Sequence, residues 1–161
     1  MSTLASFYDF ALGIHVIAVV AAFGVIFAYP IMYSVTARRE PRSLPLMHRI
    51  EYTIERMLVN PGLLLVLLAG AYLASDGHHW SEFFVQWGLA AVVVIGALVG
   101  SVMIPTAKKA EKIAERDLAA AGEGQADLSA EYQALTRRLM TVGSLLSGLV
   151  VVTILIMAVK P

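Results

Sequence analysis

Three polar side chains lie inside apolar stretches of the sequence, at positions that would place them in one layer of a membrane. His15 is the only histidine or charged residue in the stretch 10–35, while Tyr72 and Gln86 lie near the ends of two later stretches. Neutral imidazole is the commonest metal ligand, and ionisable groups inside a membrane usually serve a function, so this layer indicates a haem or metal site. The alternative is a neutral histidine that is hydrogen-bonded to Tyr72, Gln86 or water.

A second group of candidate residues, Arg49, Glu51, Glu55 and Arg56, alternates in charge around Tyr52. Glu51 and Glu55 are four residues apart, so they share one face of a helix and repel each other unless cations intervene. One interpretation is a cytoplasmic charged site that binds a propionate-like ligand or relays protons. The other is an ion-pair network at the membrane surface that contacts lipid phosphates.

A third group lies in a short polar stretch, where His78 and His79 follow Asp76. These residues could assist a copper or zinc site, but adjacent side chains point in different directions, so a solvated loop tip is the alternative. The sequence has no cysteine, which excludes disulfides, thiol catalysis, iron–sulfur clusters and c-type haem attachment. The P-loop, HExxH, GxSxG and Rossmann patterns are absent as well. The motifs therefore assign no enzyme class.

The elements that must position these residues are apolar segments long enough to cross a bilayer. Of the 161 residues, 58% are hydrophobic, against about 45–50% in soluble domains, and the mean hydropathy is +0.74. A helix needs about 20 apolar residues to cross the hydrocarbon layer, and an open strand there would leave its backbone unsatisfied. Four segments qualify, at residues 10–35, 57–75, 83–105 and 139–159. The sequence predicts an all-α polytopic membrane protein, a single membrane domain over 1–161 built as an up-down four-transmembrane-helix bundle with helical cytoplasmic extensions.

Basic residues are concentrated in two connections, 36–56 and 106–138. These connections hold eleven of the twelve lysines and arginines, so the positive-inside rule places both of them in the cytoplasm. Both termini of this multi-pass protein are then expected outside. The formal net charge of +0 gives no indication of nucleic acid as a partner. The expected partner is the lipid bilayer.

Pairs of small residues recur with a spacing of four in three of the predicted helices. They are Gly24 and Ala28, Gly96 and Gly100, and Gly143 and Ser147. This spacing lets two helices approach closely, and we expect Gly96 and Gly100 to lie against a neighbouring helix of the same chain. The alternative is a face that forms a homo-oligomer or contacts a partner in a membrane complex.

Several short motifs together point to a family of uncharacterised proteins. They are the histidine in residues 11–17 (ALGIHVI), the acidic and basic stretch 50–56 leading into 60–62 (NPG), and the ending 157–161 (MAVKP). With these motifs the chain resembles an uncharacterised bacterial family of four-helix integral membrane proteins, a domain of unknown function. The resemblance implies a location in the bacterial cytoplasmic (inner) membrane. That family is distantly similar to the copper-resistance D-type proteins and to the J-type protoporphyrinogen oxidase.

The resemblance to the oxidase implies a haem-binding role for His15, because a histidine of the first helix is implicated in haem binding there. It also places Glu51 at the Glu of the oxidase's Met-Glu-Arg motif and Gln86 where the oxidase has a functional lysine. We therefore expect an integral membrane protein of unassigned activity that binds haem b or a metal through His15, with Gln86, Tyr72 and Glu51 as further cofactor-binding candidates. The alternatives are a redox enzyme acting on a porphyrin-like substrate and a structural or accessory subunit of a larger membrane complex.

Overall fold

The computed structural model describes residues 7–122 and 128–160, and these form four long helical spans. Each span is long and apolar enough to cross a membrane, and the described residues contain no strand, which confirms the predicted all-α membrane architecture. The four spans are Phe7–Arg39, Pro41–Asp76, Phe83–Ala121 and Ala130–Val159. Residues 1–6, 123–127 and 161 lie outside the described residues, and with them part of the predicted 106–138 connection and of the 157–161 motif.

Seven α-helices build these spans, because three of the spans contain a short irregular turn. The α-helices are α1 (Phe7–Gly24), α2 (Tyr29–Arg39), α3 (Leu44–Ile54), α4 (Asn60–Asp76), α5 (Phe83–Leu98), α6 (Ile104–Ala121) and α7 (Ala130–Val159). The third span has 39 residues, or roughly 58 Å at 1.5 Å per residue, so it exceeds a hydrocarbon layer of about 30 Å. As the sequence predicted, the third span continues as a helix beyond its apolar segment, and α6 forms this polar continuation.

The irregular turns are a 3₁₀ turn in the first span and π turns in the second and third. They lie at Val25–Ala28, Glu55–Val59 and Val99–Met103. Each ends two residues before a proline (Pro30, Pro61 and Pro105, respectively). Proline lacks an N–H, and its ring clashes with the carbonyl four residues earlier, which belongs to the irregular turn in every case. The prolines therefore account for the position of all three turns.

Large apolar side chains cover the outside of the spans. Phe10, Val20, Leu64, Val93 and Leu145 are all more than half exposed. Such a surface would cause aggregation in water, whereas in a bilayer it contacts the acyl chains. The fold therefore presents the exterior of a membrane protein.

Successive spans pack against one another. Along the apolar part, α1 packs on α4, α4 on α5 and α5 on α7. At the end of the bundle that carries the basic connections, which we call the basic end, α3 packs on α6 and α6 on α7. The first two spans approach closely at Gly62, where a Cβ atom would lie 2.7 Å from the Cβ of Ala22.

The prediction for Gly96 and Gly100 is only half right. A Cβ on Gly96 would lie 3.8 Å from Cδ1 of Leu63, in ordinary contact with the second span. A Cβ on Gly100 would meet open space, because the π turn at Val99–Met103 changes the direction in which this residue faces. Gly100 therefore does not contact a neighbouring helix among the residues that the structure describes.

Candidate functional site

His15 is held between the first and second spans by a hydrogen bond to the backbone of α4. Its Nδ1 lies 3.1 Å from the carbonyl oxygen of Val66, and the ring is half-buried. A carbonyl can only accept, so Nδ1 carries the proton, and Nε2 of the neutral imidazole presents a lone pair. Gly70 makes room for the ring, since a Cβ there would lie 3.1 Å from Cε1 of His15. The arrangement suits a histidine ligand, which usually donates its other ring N–H to such an acceptor.

The other two residues of the predicted layer have different surroundings. Tyr72 lies on the same α1–α4 interface, where its ring meets Phe7 edge-on with centroids 5.1 Å apart. Gln86 is exposed, and its Nε2 donates to the carbonyl of Trp80 at 3.3 Å. The structure thus brings His15 and Tyr72 to one interface and directs the amide of Gln86 to the loop before α5.

Glu51 belongs to a separate site. It lies fifteen residues before Val66 on the same span, which corresponds to roughly 20 Å along a helix. Glu51 therefore cannot contact the same metal ion as His15. The predicted cofactor residues divide into an upper site around His15 and a lower site at the basic end.

The lower site is a cavity of about 40 Å³ between the four spans, which we call the polar cavity. Its polar lining comes from the first, second and fourth spans, and the third contributes apolar residues. The lining includes Tyr29, Tyr33, His48, Glu51, Glu55, Val59, Val99, Met103, Thr136 and Leu139. Residues of all three irregular turns contribute to it, including Ile26 of the 3₁₀ turn. Interrupted helices often occur at functional sites.

A hydrogen-bonded chain of buried side chains runs along one side of the polar cavity. Nδ1 of His48 lies 3.2 Å from Oε2 of Glu51, and Nε2 of His48 lies 2.9 Å from the hydroxyl of Tyr132. His48 and Tyr132 are each only 1% exposed. Because the Glu51 carboxylate accepts, Nδ1 is the donor in the first bond. The imidazole therefore joins the second span to the fourth.

Sequence reasoning did not identify His48 or Tyr132. The available signal was the spacing of three between His48 and Glu51, which puts both residues on one helix face. That face is buried because His48 lies against Tyr33 of α2 and Tyr132 of α7, and α6, expected as a helical cytoplasmic extension, also packs on α3. Residues Ala107, Ala110 and Ala114 of α6 are fully buried.

Three oxygen atoms at the polar cavity are buried without a hydrogen-bond partner among the described residues. They are the hydroxyl of Tyr29, Oε2 of Glu55 and Oγ1 of Thr136. Buried polar atoms in native proteins nearly always have a partner, and an exception calls for an explanation such as a bound water or ion. Three such atoms, one from each of three spans, line the same small space.

The charged group around Tyr52 is divided between the inside and the outside of the bundle. Glu51 and Glu55 face the polar cavity, while Arg49 faces α6, where its Nε donates to Glu111 at 2.6 Å and its guanidinium reaches Glu115 at 3.1 Å. An ion-pair network is present on the outside of the bundle, but its acids come from α6 rather than from Glu51 and Glu55.

The histidines of the loop after α4 are not gathered around a common centre. Nδ1 of His78 lies 3.2 Å from the backbone oxygen of Asp76, and the ring of His79 packs near Phe84. Within 7–122 and 128–160, no group of three or more His, Cys, Asp or Glu residues is arranged to hold a metal ion. The geometry is that of a loop tip.

Comparison with known proteins establishes a family without an assigned activity. No curated protein and no solved structure matches the chain, so the resemblance to the copper-resistance proteins and the oxidase gains no support. A family described as "Predicted integral membrane protein (DUF2269)" matches residues 11–161. With nearly its whole length matched and four spans that can cross a membrane, the chain belongs to this family of integral membrane proteins.

Proposed function

We propose that this membrane protein binds b-type haem, and that Nε2 of His15 would hold the iron. The observation that carries the proposal is the hydrogen bond from Nδ1 of His15 to the Val66 carbonyl. It fixes the tautomer, orients the ring and leaves Nε2 as the free lone pair, as in known histidine ligands. A bound haem would supply one-electron chemistry.

The remaining predicted cofactor residues support this proposal less. Tyr72 shares the interface with His15 and could line one side of a bound ring, whereas the exposed amide of Gln86 bonds to Trp80. The polar cavity, at about 40 Å³, is far below the ~300–1,000 Å³ of typical cofactor pockets. The haem proposal therefore rests on His15 and on the lipid-facing surface beside it.

The test is the visible spectrum of purified protein, as isolated and after addition of haemin. We expect a sharp Soret band at one haem per chain, which His15→Ala abolishes while the helical circular dichroism is retained. His79→Ala is the matched control, because it removes a histidine from the loop and should leave the band intact. Gly70→Val should shift or weaken the band, since its Cβ would lie 3.1 Å from the imidazole of His15.

A purely structural His15 gives a different result. The protein is then colourless and does not bind added haemin or Cu²⁺, and His15→Ala costs only about 1 kcal/mol of stability, as expected for a side-chain hydrogen bond in a membrane. If haem does bind, turnover of protoporphyrinogen separates a redox enzyme acting on a porphyrin-like substrate from a haem-binding protein without that activity.

A second candidate function is an accessory subunit of a membrane complex. The observation that favours it is an open groove between the second and third spans, lined by Leu63, Leu64, Val93, Gly96 and Gly100 among others. Small residues facing outward allow a further helix to approach closely. Co-purification of a second membrane protein that is lost in Gly100→Leu would support this function.

A further inference from the structure

The first step concerns the charges in the polar cavity. It contains two carboxylates, and Glu51 is already paired with His48 at 3.2 Å. Glu55 is 2% exposed, its Oε2 has no described partner, and no lysine or arginine is among the described lining residues. A buried carboxylate is very unfavourable unless an opposite charge or several donors compensate it. As an ionised carboxylate, Glu55 would need one compensating positive charge.

The second step concerns the neutral oxygens beside Glu55. The hydroxyl of Tyr29 and Oγ1 of Thr136 are also buried without a described partner, and Thr136 is 6% exposed. A proton on Glu55 would add a single donor, which can serve only one acceptor at a time. A cation can accept a lone pair from the Glu55 carboxylate and from both hydroxyl oxygens, and waters can complete its coordination and accept the hydroxyl protons.

The third step concerns the size and hardness of the occupant. At about 40 Å³, the polar cavity holds on the order of three waters, given ~10–15 Å³ for each. This volume is too small for an organic ammonium ligand. Oxygen ligands suit hard cations, and the described residues offer no grouping of three or more His, Cys, Asp or Glu for a transition metal. The single negative charge of an ionised Glu55 would be neutralised by one monovalent cation.

The fourth step concerns the backbone around the polar cavity. The prolines that follow the three irregular turns each leave a carbonyl without its helical donor, and all three turns contribute residues to the lining. Interrupted membrane helices commonly form cation sites, because unwound carbonyls add coordinating oxygens. The polar cavity therefore lies where three of the spans depart from α-helical geometry.

We infer that the polar cavity binds one alkali-metal cation, with Glu55 as the charged ligand and with Tyr29 and Thr136 as neutral oxygen ligands. The site is separate from His15 and does not depend on haem binding. In this arrangement the pair of His48 and Glu51 forms one wall, and the ion ties the first, second and fourth spans together at the basic end.

The experiment compares the purified protein in choline chloride with the same protein in alkali chlorides. The protein is first dialysed in detergent into choline chloride. Additions of LiCl, NaCl and KCl at constant ionic strength are followed by the thermal unfolding midpoint, Tm, and bound ion is counted by equilibrium dialysis and atomic emission. We expect one bound ion per chain for the preferred cation. A saturable rise in Tm of roughly 5–10 °C is expected at about 100 times Kd.

Three variants locate the ion. Glu55→Gln keeps the shape of the side chain and should abolish both the bound ion and the rise in Tm. Thr136→Val is nearly isosteric and should weaken the apparent affinity about tenfold or more. Glu115→Gln is the matched control, because this exposed carboxylate pairs with Arg49 outside the polar cavity, and it should leave the ion response unchanged.

Two outcomes would overturn the inference. One is a Tm that is the same in choline and in all three alkali chlorides but changes with pH, which assigns the missing positive charge to a proton. The other is a Glu55→Gln variant that retains the bound ion. The Tm and bound-ion measurements on the wild-type protein test the inference without the variants. A variant that does not fold therefore does not prevent the test.

Discussion

Tyr132 has the largest fully buried side chain among the described residues, and its hydroxyl meets Nε2 of His48 at 2.9 Å. The two rings also meet edge-on, with centroids 5.8 Å apart. A buried group that loses its partner retains the full cost of its desolvation. Loss of the Tyr132 hydroxyl should therefore lower the stability of the protein by more than the net contribution of one hydrogen bond.

For Tyr132→Phe we expect the free energy of unfolding to fall by about 1–2 kcal/mol, because Nε2 of His48 is left without its partner. Reversible unfolding in mixed micelles, followed by circular dichroism, measures the change. Tyr8→Phe is the control, since the half-buried Tyr8 has no described hydrogen-bond partner. Equal effects of the two substitutions would contradict this account of the buried chain.

Individual residues were the least predictable part of the molecule. Glu51 was selected from the sequence, yet its partner His48 was not, because the inward face of α3 becomes apparent only once α2, α6 and α7 pack around it. His15 was recognisable, since a histidine in an apolar run is conspicuous in any context. The orientation of Gln86 could not be predicted, because it depends on the path of the loop that contains Trp80.

The packing of α1 on α4 depends on a glycine at their contact. Gly62 lies against Ala22, where a Cβ would come within 2.7 Å of the alanine Cβ. A side chain at Gly62 could not be accommodated by a change of rotamer, because the atoms it would meet are the Cβ and backbone of Ala22. The packing of the first two spans therefore requires glycine here.

Gly62→Leu should lower the Tm of the detergent-solubilised protein by an amount equivalent to about 1–3 kcal/mol, the usual cost of overpacking. Gly100→Leu is its matched control, because a Cβ at Gly100 meets open space, and it should leave monomer stability unchanged. Differential scanning measures both variants, and size-exclusion chromatography reports association. A large loss of monomer stability in Gly100→Leu would show that this glycine is packed after all.

The helices themselves followed from hydropathy, because uncharged runs of this length are stable only as helices in lipid. The interruptions did not follow as readily. A proline in an apolar segment indicates an interruption, but whether it produces a 3₁₀ or a π turn depends on how the freed carbonyls are accommodated by neighbouring spans. The outward direction of Gly100 is a consequence of such a turn.

For the molecule as a whole, the distribution of charge tells more about its orientation in the membrane than the net charge does. The formal net charge is +0, yet the polar cavity and the ion pairs of Arg49, Lys109 and Arg116 all lie at the basic end. The opposite end carries Asp76 and Glu82 near the start of α5. This distribution supports an orientation with the basic end in the cytoplasm.

The cysteine-free sequence makes this orientation testable with single substitutions. Ser75→Cys and Lys160→Cys should react with an impermeant thiol reagent applied to intact cells, because both residues are exposed at the end predicted to be outside. Gln133→Cys, which is exposed near the start of α7, should react only after permeabilisation. Labelling of Gln133→Cys in sealed cells would reverse the topology.

The π turn at Val99–Met103 also sets the rotational phase of the third span. Such a turn contains one residue more than the α-helical repeat, and one residue corresponds to about 100° of rotation in an α-helix. Removing Ser101 would restore a regular helix. The buried alanines of α6 would then be rotated about 100° away from α3, while α5 would keep its lipid-facing side. The extra residue thus lets one continuous helix serve two surfaces that a regular helix would leave out of phase.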